Sequence, residues 1–129
     1  MVEDHHDLDG LEVLVATVGN GSDLEQALWL LGCVVLPSAP SAREASVLLR
    51  SFRPDVALID VHLGDEAVIA LAEELTDMGV PFALVTASEE ACTGLEPALR
   101  DKPRLAKPFT YEDLRQALLQ ILDAPPPEV

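Results

Sequence analysis

Apolar residues along this chain occur in two kinds of segment, short continuous runs and longer stretches with helical spacing. A short continuous run, bounded by Pro, Gly or polar residues, is typical of a strand that is buried on both faces. Five such runs predict strands at 11–16, 33–36, 56–60, 81–86 and 104–106. The third run is entered through Pro54 and ends abruptly on the carboxylate of Asp60.

The segments between these runs predict helices. Ser22 and Glu25 have the spacing of a capping box, which predicts a helix over about 23–31 that ends at Gly32. A third helix is predicted over 65–78, ended by Gly79. A fourth is expected within 88–100, although Gly94 and Pro97 interrupt it. A last helix follows Thr110, which caps it together with Asp113 and is expected to bury Leu114, Ala117, Leu118 and Ile121.

The second helix is predicted to begin at Ser41 and to stop at Pro54, because proline disfavours helix at the residue before it. Its buried face is expected to hold the apolar residues at helical spacing, which are Ala42, Ala45, Leu48, Leu49 and Phe52.

Alternation of strands and helices predicts an α/β domain. Five strands joined by right-handed crossovers form a parallel sheet with helices on both sides, which is a doubly wound fold. We expect residues 1–10 to be a flexible acidic lead-in, 11–123 the domain and 124–129 a Pro-rich tail.

Composition limits the function. The chain has 129 residues, and 8 basic against 23 acidic residues give a net charge of −15. This charge argues against binding to nucleic acid or to an anionic membrane, because both need a basic surface. No apolar run is long enough to span a bilayer and the N-terminus is not a signal peptide, so a cytoplasmic location is expected. Cys33 and Cys92 resemble ordinary small residues, and a disulfide between them stays open.

Polar side chains follow four of the predicted strands, at the edge where ligands bind in open α/β sheets. They are Thr17 after the first strand, Asp60 in the third, Thr86 in the fourth and Lys107 after the fifth. By position alone, Asp60 suits a helix cap as well as a functional acid. A carboxylate, a hydroxyl and an ammonium at one edge together predict a nucleophilic Asp60 acting on a phosphoryl group, whose oxygens need donors and positive charge.

Three motifs make residues 11–122 resemble the receiver domains of two-component response regulators. They are the strand that ends in Asp60, the Val85-Thr86-Ala87 segment and the Lys107-Pro108-Phe109 segment. The resemblance implies a flavodoxin-like (βα)5 fold with strand order 2-1-3-4-5, as in other CheY-like domains. It also implies a non-enzymatic module in which Asp60 accepts a phosphoryl group from a sensor histidine kinase or phosphotransfer protein. Thr86 would hydrogen-bond this group and Lys107 would pair with it.

The sequence departs from the receiver pattern at three places, one of which is the loop over 61–66 after the third strand, which is shorter than usual. Receivers usually place two adjacent acids, which hold Mg²⁺, where this chain has Thr17 and Val18. With Asp60 and the backbone carbonyl of His62 as the remaining ligands, Mg²⁺ binding is expected to be weak or absent, unless Asp23, Asp65 or Glu66 reaches the site. Arg104 stands where many receivers have an aromatic switch residue, and an inward swing of arginine would bury a charge.

Two functions therefore stay open. The first is a stand-alone, phosphorylatable receiver whose predicted fourth helix, fifth strand and last helix form a partner or homodimer surface. The second is a degenerate receiver that binds proteins without being phosphorylated. An aspartyl phosphatase of the haloacid-dehalogenase kind is less favoured, because that family has a second Asp where this chain has His62.

Overall fold

The computed structural model describes residues 10–17, 22–36, 41–61, 65–86, 104–106 and 109–123. Five strands are present, namely β1 Glu12–Ala16, β2 Val34–Val35, β3 Val56–Asp60, β4 Phe82–Thr86 and β5 Arg104–Ala106. Four helices lie within these ranges, namely α1 Ser22–Leu30, α2 Ala42–Leu48, α3 Asp65–Met78 and α4 Tyr111–Asp123. The predicted helix within 88–100 lies outside the described residues. Among the described helices, none is both long and apolar enough to cross a membrane.

The strands form one parallel sheet in the order β2-β1-β3-β4-β5. This confirms the doubly wound α/β fold and the strand order that the receiver resemblance implied. The order places β1 and β3 side by side at the centre, with Ala16 paired with Ile59. On the other side of β3, Asp60 pairs with Val85 of β4. The carboxyl ends of the strands therefore meet at one edge of the sheet.

Helices cover both faces of the sheet, and each face has its own apolar core. Alternate strand residues point to opposite faces. Leu14, Ile59 and Leu84 pack on the face covered by α2 and α3. Val15, Leu58 and Val85 pack on the face covered by α1 and α4. β3 and β4 are buried along their whole length, as expected for strands with a helical layer on either side.

Local signals at the helix ends account for most of the boundaries. Ser41 precedes α2 in an extended conformation, and its Oγ accepts a hydrogen bond from the Glu44 amide at 3.2 Å. Gly32 and Gly79 follow the ends of α1 and α3 with φ of 90° and 77°, a conformation that glycine adopts without a steric penalty. These caps confirm the predicted start of α2 and the predicted ends of α1 and α3.

The prediction for the end of the second helix was wrong. α2 ends at Leu48, and a turn in which the Phe52 amide donates to the Leu48 carbonyl carries the chain towards Pro54. Because the helical path has already been left, Phe52 does not join the buried face and is 41% exposed. Ala45 and Leu49 are buried, as predicted.

Candidate functional site

Asp60 is the last residue of β3, and its side chain is almost completely buried, with 1% exposure. Asp55, which stands just before the same strand, is exposed. Burying an ionisable group is costly unless its surroundings compensate for the lost hydration. A buried carboxylate at the carboxyl edge of a parallel sheet, where ligands bind in this class of fold, therefore marks a candidate site.

Thr17 lies beside Asp60 at this edge. Ala16 pairs with Ile59 in the ladder between β1 and β3. Thr17 is the residue after Ala16, and Asp60 is the residue after Ile59. Val15 and Leu58, two residues earlier in each segment, pack on the α1 and α4 side of the sheet, so continued alternation predicts the same side for Thr17 and Asp60. Thr17 is 5% exposed. A hydroxyl group thus occupies the buried position next to the carboxylate.

Thr86 ends β4 on the other side of Asp60. It follows Val85, the partner of Asp60 in the ladder, and is 1% exposed. Alternation places it on the opposite face from Asp60, the face of Leu84. Within the described part of the chain, the buried polar or charged residues are Thr17, Asp60 and Thr86. All three stand at the carboxyl ends of neighbouring strands, as the sequence predicted.

Several predicted site residues cannot be placed. Lys107, His62 and Val18 lie outside the described residues, so their positions relative to Asp60 stay predictions. Arg104 is described: it pairs with Leu84 in the β4–β5 ladder and is half-buried. Its proposed role at the switch position also stays a prediction.

Of the three buried polar residues at this edge, Asp60 alone carries a carboxylate. Mg²⁺ prefers an octahedral set of oxygen ligands that usually includes one or two carboxylates. Asp60 supplies a carboxylate, but the residue that follows β1 beside it is the uncharged Thr17. In the ranges that the structure describes, no group of three or more His, Cys, Asp or Glu residues is placed to hold a metal ion.

Sequence reasoning did not identify the relationship between Thr17 and Asp60. Thr17 was predicted to lie at the same edge as Asp60 and at the position of an absent acid, but not to share a face with it. The signal lies in the alternation of Val13 and Val15 before Thr17, and of Val56 and Leu58 before Asp60. Once β1 and β3 are known to be neighbours, this alternation places the two side chains on one face.

Comparison with known proteins supports one family. No protein-family model matches the chain. A curated relative, the transcriptional regulatory protein CitT of Bacillus subtilis (strain 168), is 32% identical over 93 residues, which cover 69% of this chain and 41% of the relative. This chain therefore spans about two fifths of that protein.

Two solved structures with similar folds are receiver-containing proteins. The PhyR stress response regulator aligns with a TM-score of 0.75 and 28% identity over 92% of this chain and 47% of its own. The signal receiver domain of a modulated diguanylate cyclase from Desulfovibrio desulfuricans G20 aligns with a TM-score of 0.74 and 27% identity, covering 88% of this chain and 94% of its own. A receiver domain is indicated by the sheet order, by the buried Asp60 at the strand edge and by these similarities. The chain belongs to the CheY-like receiver domains of response regulators, which are non-enzymatic modules of two-component signal transduction.

Proposed function

We propose that Asp60 accepts a phosphoryl group in a phosphorelay, from a phosphohistidine of a sensor kinase or a phosphotransfer protein. The observation that carries this proposal is the position of Asp60, a buried carboxylate at the carboxyl edge of the sheet. In the transfer, a carboxylate oxygen of Asp60 forms a bond to phosphorus while the bond from phosphorus to the histidine nitrogen breaks. The product is an acyl phosphate, and the histidine recovers its neutral imidazole by the uptake of a proton.

Two further residues are assigned to the phosphoryl group. Thr86 leaves β4 on the opposite face from Asp60 but stands at the strand end, one residue beyond the partner of Asp60, so its hydroxyl donates to a phosphoryl oxygen that extends past the edge of the sheet. Lys107, which follows β5 in the sequence, supplies positive charge to the same oxygens. Phosphoryl transfer depends mainly on positioning and on charge stabilisation, which are the contributions that these residues make.

Mg²⁺ has a reduced role in this proposal. Receiver domains typically bind Mg²⁺, but Thr17 beside Asp60 removes a charged ligand that such a site would use. We therefore expect weak or no Mg²⁺ binding by the native chain.

The uncharged Thr17 beside Asp60 also favours a second candidate function. A receiver with an uncharged residue beside its acceptor carboxylate is also suited to phosphorylation-independent binding of a partner protein. In that case the domain binds its partner through its surface, and Asp60 stays unmodified.

Intact-mass spectrometry after incubation with acetyl phosphate separates the two functions. The proposal predicts a gain of one phosphoryl group in the native chain and none in Asp60→Ala. Parallel incubations with Mg²⁺ and with EDTA measure the metal requirement. Absence of any gain in a folded native chain, under both conditions, would favour the phosphorylation-independent module.

A further inference from the structure

A groove of about 260 Å³ lies between α2 and α3, on the side of the sheet opposite α1 and α4. Small and apolar side chains form most of its lining, which consists of Ala42, Arg43, Ser46, Ala67, Ala70, Leu71 and Glu74. The two helices are joined across the groove by the Ser46 hydroxyl, which donates a hydrogen bond to Glu74 Oε1 at 2.7 Å. This bond holds the Glu74 carboxylate beside the apolar lining.

The α3 wall of the groove is acidic. The helix contains Asp65, Glu66, Glu73, Glu74 and Asp77 but no Lys or Arg. Glu66, Glu73 and Asp77 are exposed, and their spacing places them along one side of α3, adjacent to Ala70. The α2 wall differs, because it presents the basic side chain of Arg43. The groove is therefore apolar at its base and negative along one rim.

Size and charge together define what fits this groove. Small-molecule sites usually measure about 300–1,000 Å³, so this open groove suits protruding side chains better than a whole ligand. We propose that it binds an amphipathic helical segment of a partner protein that carries Lys or Arg along one side. Small apolar residues of that segment pack against Ala67 and Ala70, and its cations face Glu73 and Asp77.

The charges also determine orientation and exclude a second copy of this chain. Arg43 on the α2 rim repels cations, so the basic side of the partner segment lies towards α3. A second copy would bring another net charge of −15 to an acidic rim. The described helices of this chain offer no basic side either, since their basic residues are limited to Arg43 in α2 and Arg115 in α4.

A synthetic peptide with Ala, Leu and Lys at the spacing of an amphipathic helix, labelled with fluorescein, tests the proposal. The control peptide has Glu in place of each Lys. Fluorescence anisotropy measures affinity for the full chain, and ¹⁵N-edited NMR identifies the amides whose shifts change. We expect binding of the Lys peptide alone, weakened by salt, with the changes concentrated in α2 and α3.

Two double variants with the same charge change separate a specific site from general attraction to an acidic protein. Glu73→Gln with Asp77→Asn raises the net charge by two, and so does Gln26→Lys with Gln120→Lys on the exposed sides of α1 and α4. We expect the first pair to weaken binding at least about threefold and the second to have less effect. Ala70→Phe, at an exposed position that tolerates a larger side chain without unfolding, should fill the groove and reduce affinity about tenfold.

Three results would overturn the proposal. The first is equal weakening by the two double variants, which indicates non-specific attraction. The second is absence of binding by the Lys peptide. The third is concentration-dependent self-association of the native chain that Ala70→Phe abolishes, since this assigns the groove to a second copy.

Discussion

Thr17 and Asp60 each stand one residue beyond the Ala16–Ile59 pair of the β1–β3 ladder, and both residues are buried. The receiver resemblance implies a metal-binding acid at position 17, where this chain has a neutral hydroxyl. We therefore expect a negative charge at position 17 to strengthen the attraction of this edge for a divalent cation.

Thr17→Asp is expected to create Mg²⁺ dependence. Without metal, the new carboxylate and Asp60 repel each other, so the melting temperature should fall below that of the uncharged control Thr17→Asn. Saturating Mg²⁺ should raise the melting temperature of Thr17→Asp by about 3 °C or more, because an ion that binds only the folded state stabilises it. Thermal unfolding with and without Mg²⁺ measures this. Equal responses of the two variants would contradict the side-by-side placement.

The alternation of apolar runs and helical stretches was sufficient to predict the α/β fold class, whereas the strand order came from the receiver resemblance. β5 and α3 were placed at their observed bounds, because strong stop signals such as Gly79 stand beside them. The end of α2 was misplaced because Pro54 was taken as the stop. The helix ends instead in a turn after Leu48, and no Gly or Pro marks that turn in the sequence.

The candidate site was only partly predictable. Asp60 and Thr86 were predicted, because each is a polar residue at the end of an apolar run that is visible in the sequence. The burial of Thr17 next to Asp60 was not visible, because it depends on the pairing of β1 with β3. These strands are not consecutive, and their adjacency came from the receiver resemblance before the structure confirmed it.

Asp55 joins β3 to β1 at the opposite edge of the sheet. Its Oδ2 accepts a hydrogen bond from the Glu12 amide at 2.9 Å, and its own amide donates to the Glu12 carbonyl at 2.8 Å. Asp55→Ala should lower the free energy of unfolding by about 0.5–1.5 kcal/mol. Asp55→Asn keeps an oxygen acceptor and should lose less, as measured by urea denaturation. If the two variants lose the same free energy of unfolding, the hydrogen bond from the Glu12 amide to Asp55 does not cause the loss of stability.

Thr110 and Asp113 form a reciprocal cap at the start of α4, which confirms the predicted capping pair. The Asp113 amide donates to Thr110 Oγ1, and the Thr110 amide donates to Asp113 Oδ2, both at 3.0 Å. Thr110→Ala should cost about 0.5–2 kcal/mol of unfolding free energy. Thr110→Ser retains the hydroxyl and should unfold close to the native midpoint. If the serine variant is as unstable as the alanine variant, the hydroxyl does not cap the helix.

Glu112 has a pKa below its ordinary value of 4.5, mainly because Arg115 donates hydrogen bonds to its carboxylate, with a further bond from Gln116. A lowered folded-state pKa stabilises the protein above the ordinary value, and this stabilisation is lost as the pH falls through the lowered pKa. An NMR titration should find the Glu112 midpoint below 4.5 in the native chain. Arg115→Ala should move it upwards, whereas Arg43→Ala, on α2, should not. A midpoint unaffected by Arg115→Ala would contradict this assignment.

Chemical localisation of the phosphoryl group tests the central claim most directly. The native chain is incubated with acetyl phosphate and then treated with sodium borohydride, which reduces an aspartyl phosphate to homoserine. Peptide sequencing by mass spectrometry then locates the homoserine. Phosphorylation at Asp60 predicts homoserine at position 60 and none in Asp60→Ala. Homoserine at another aspartate, or at none in a folded chain, would contradict the proposal that Asp60 is the phospho-acceptor.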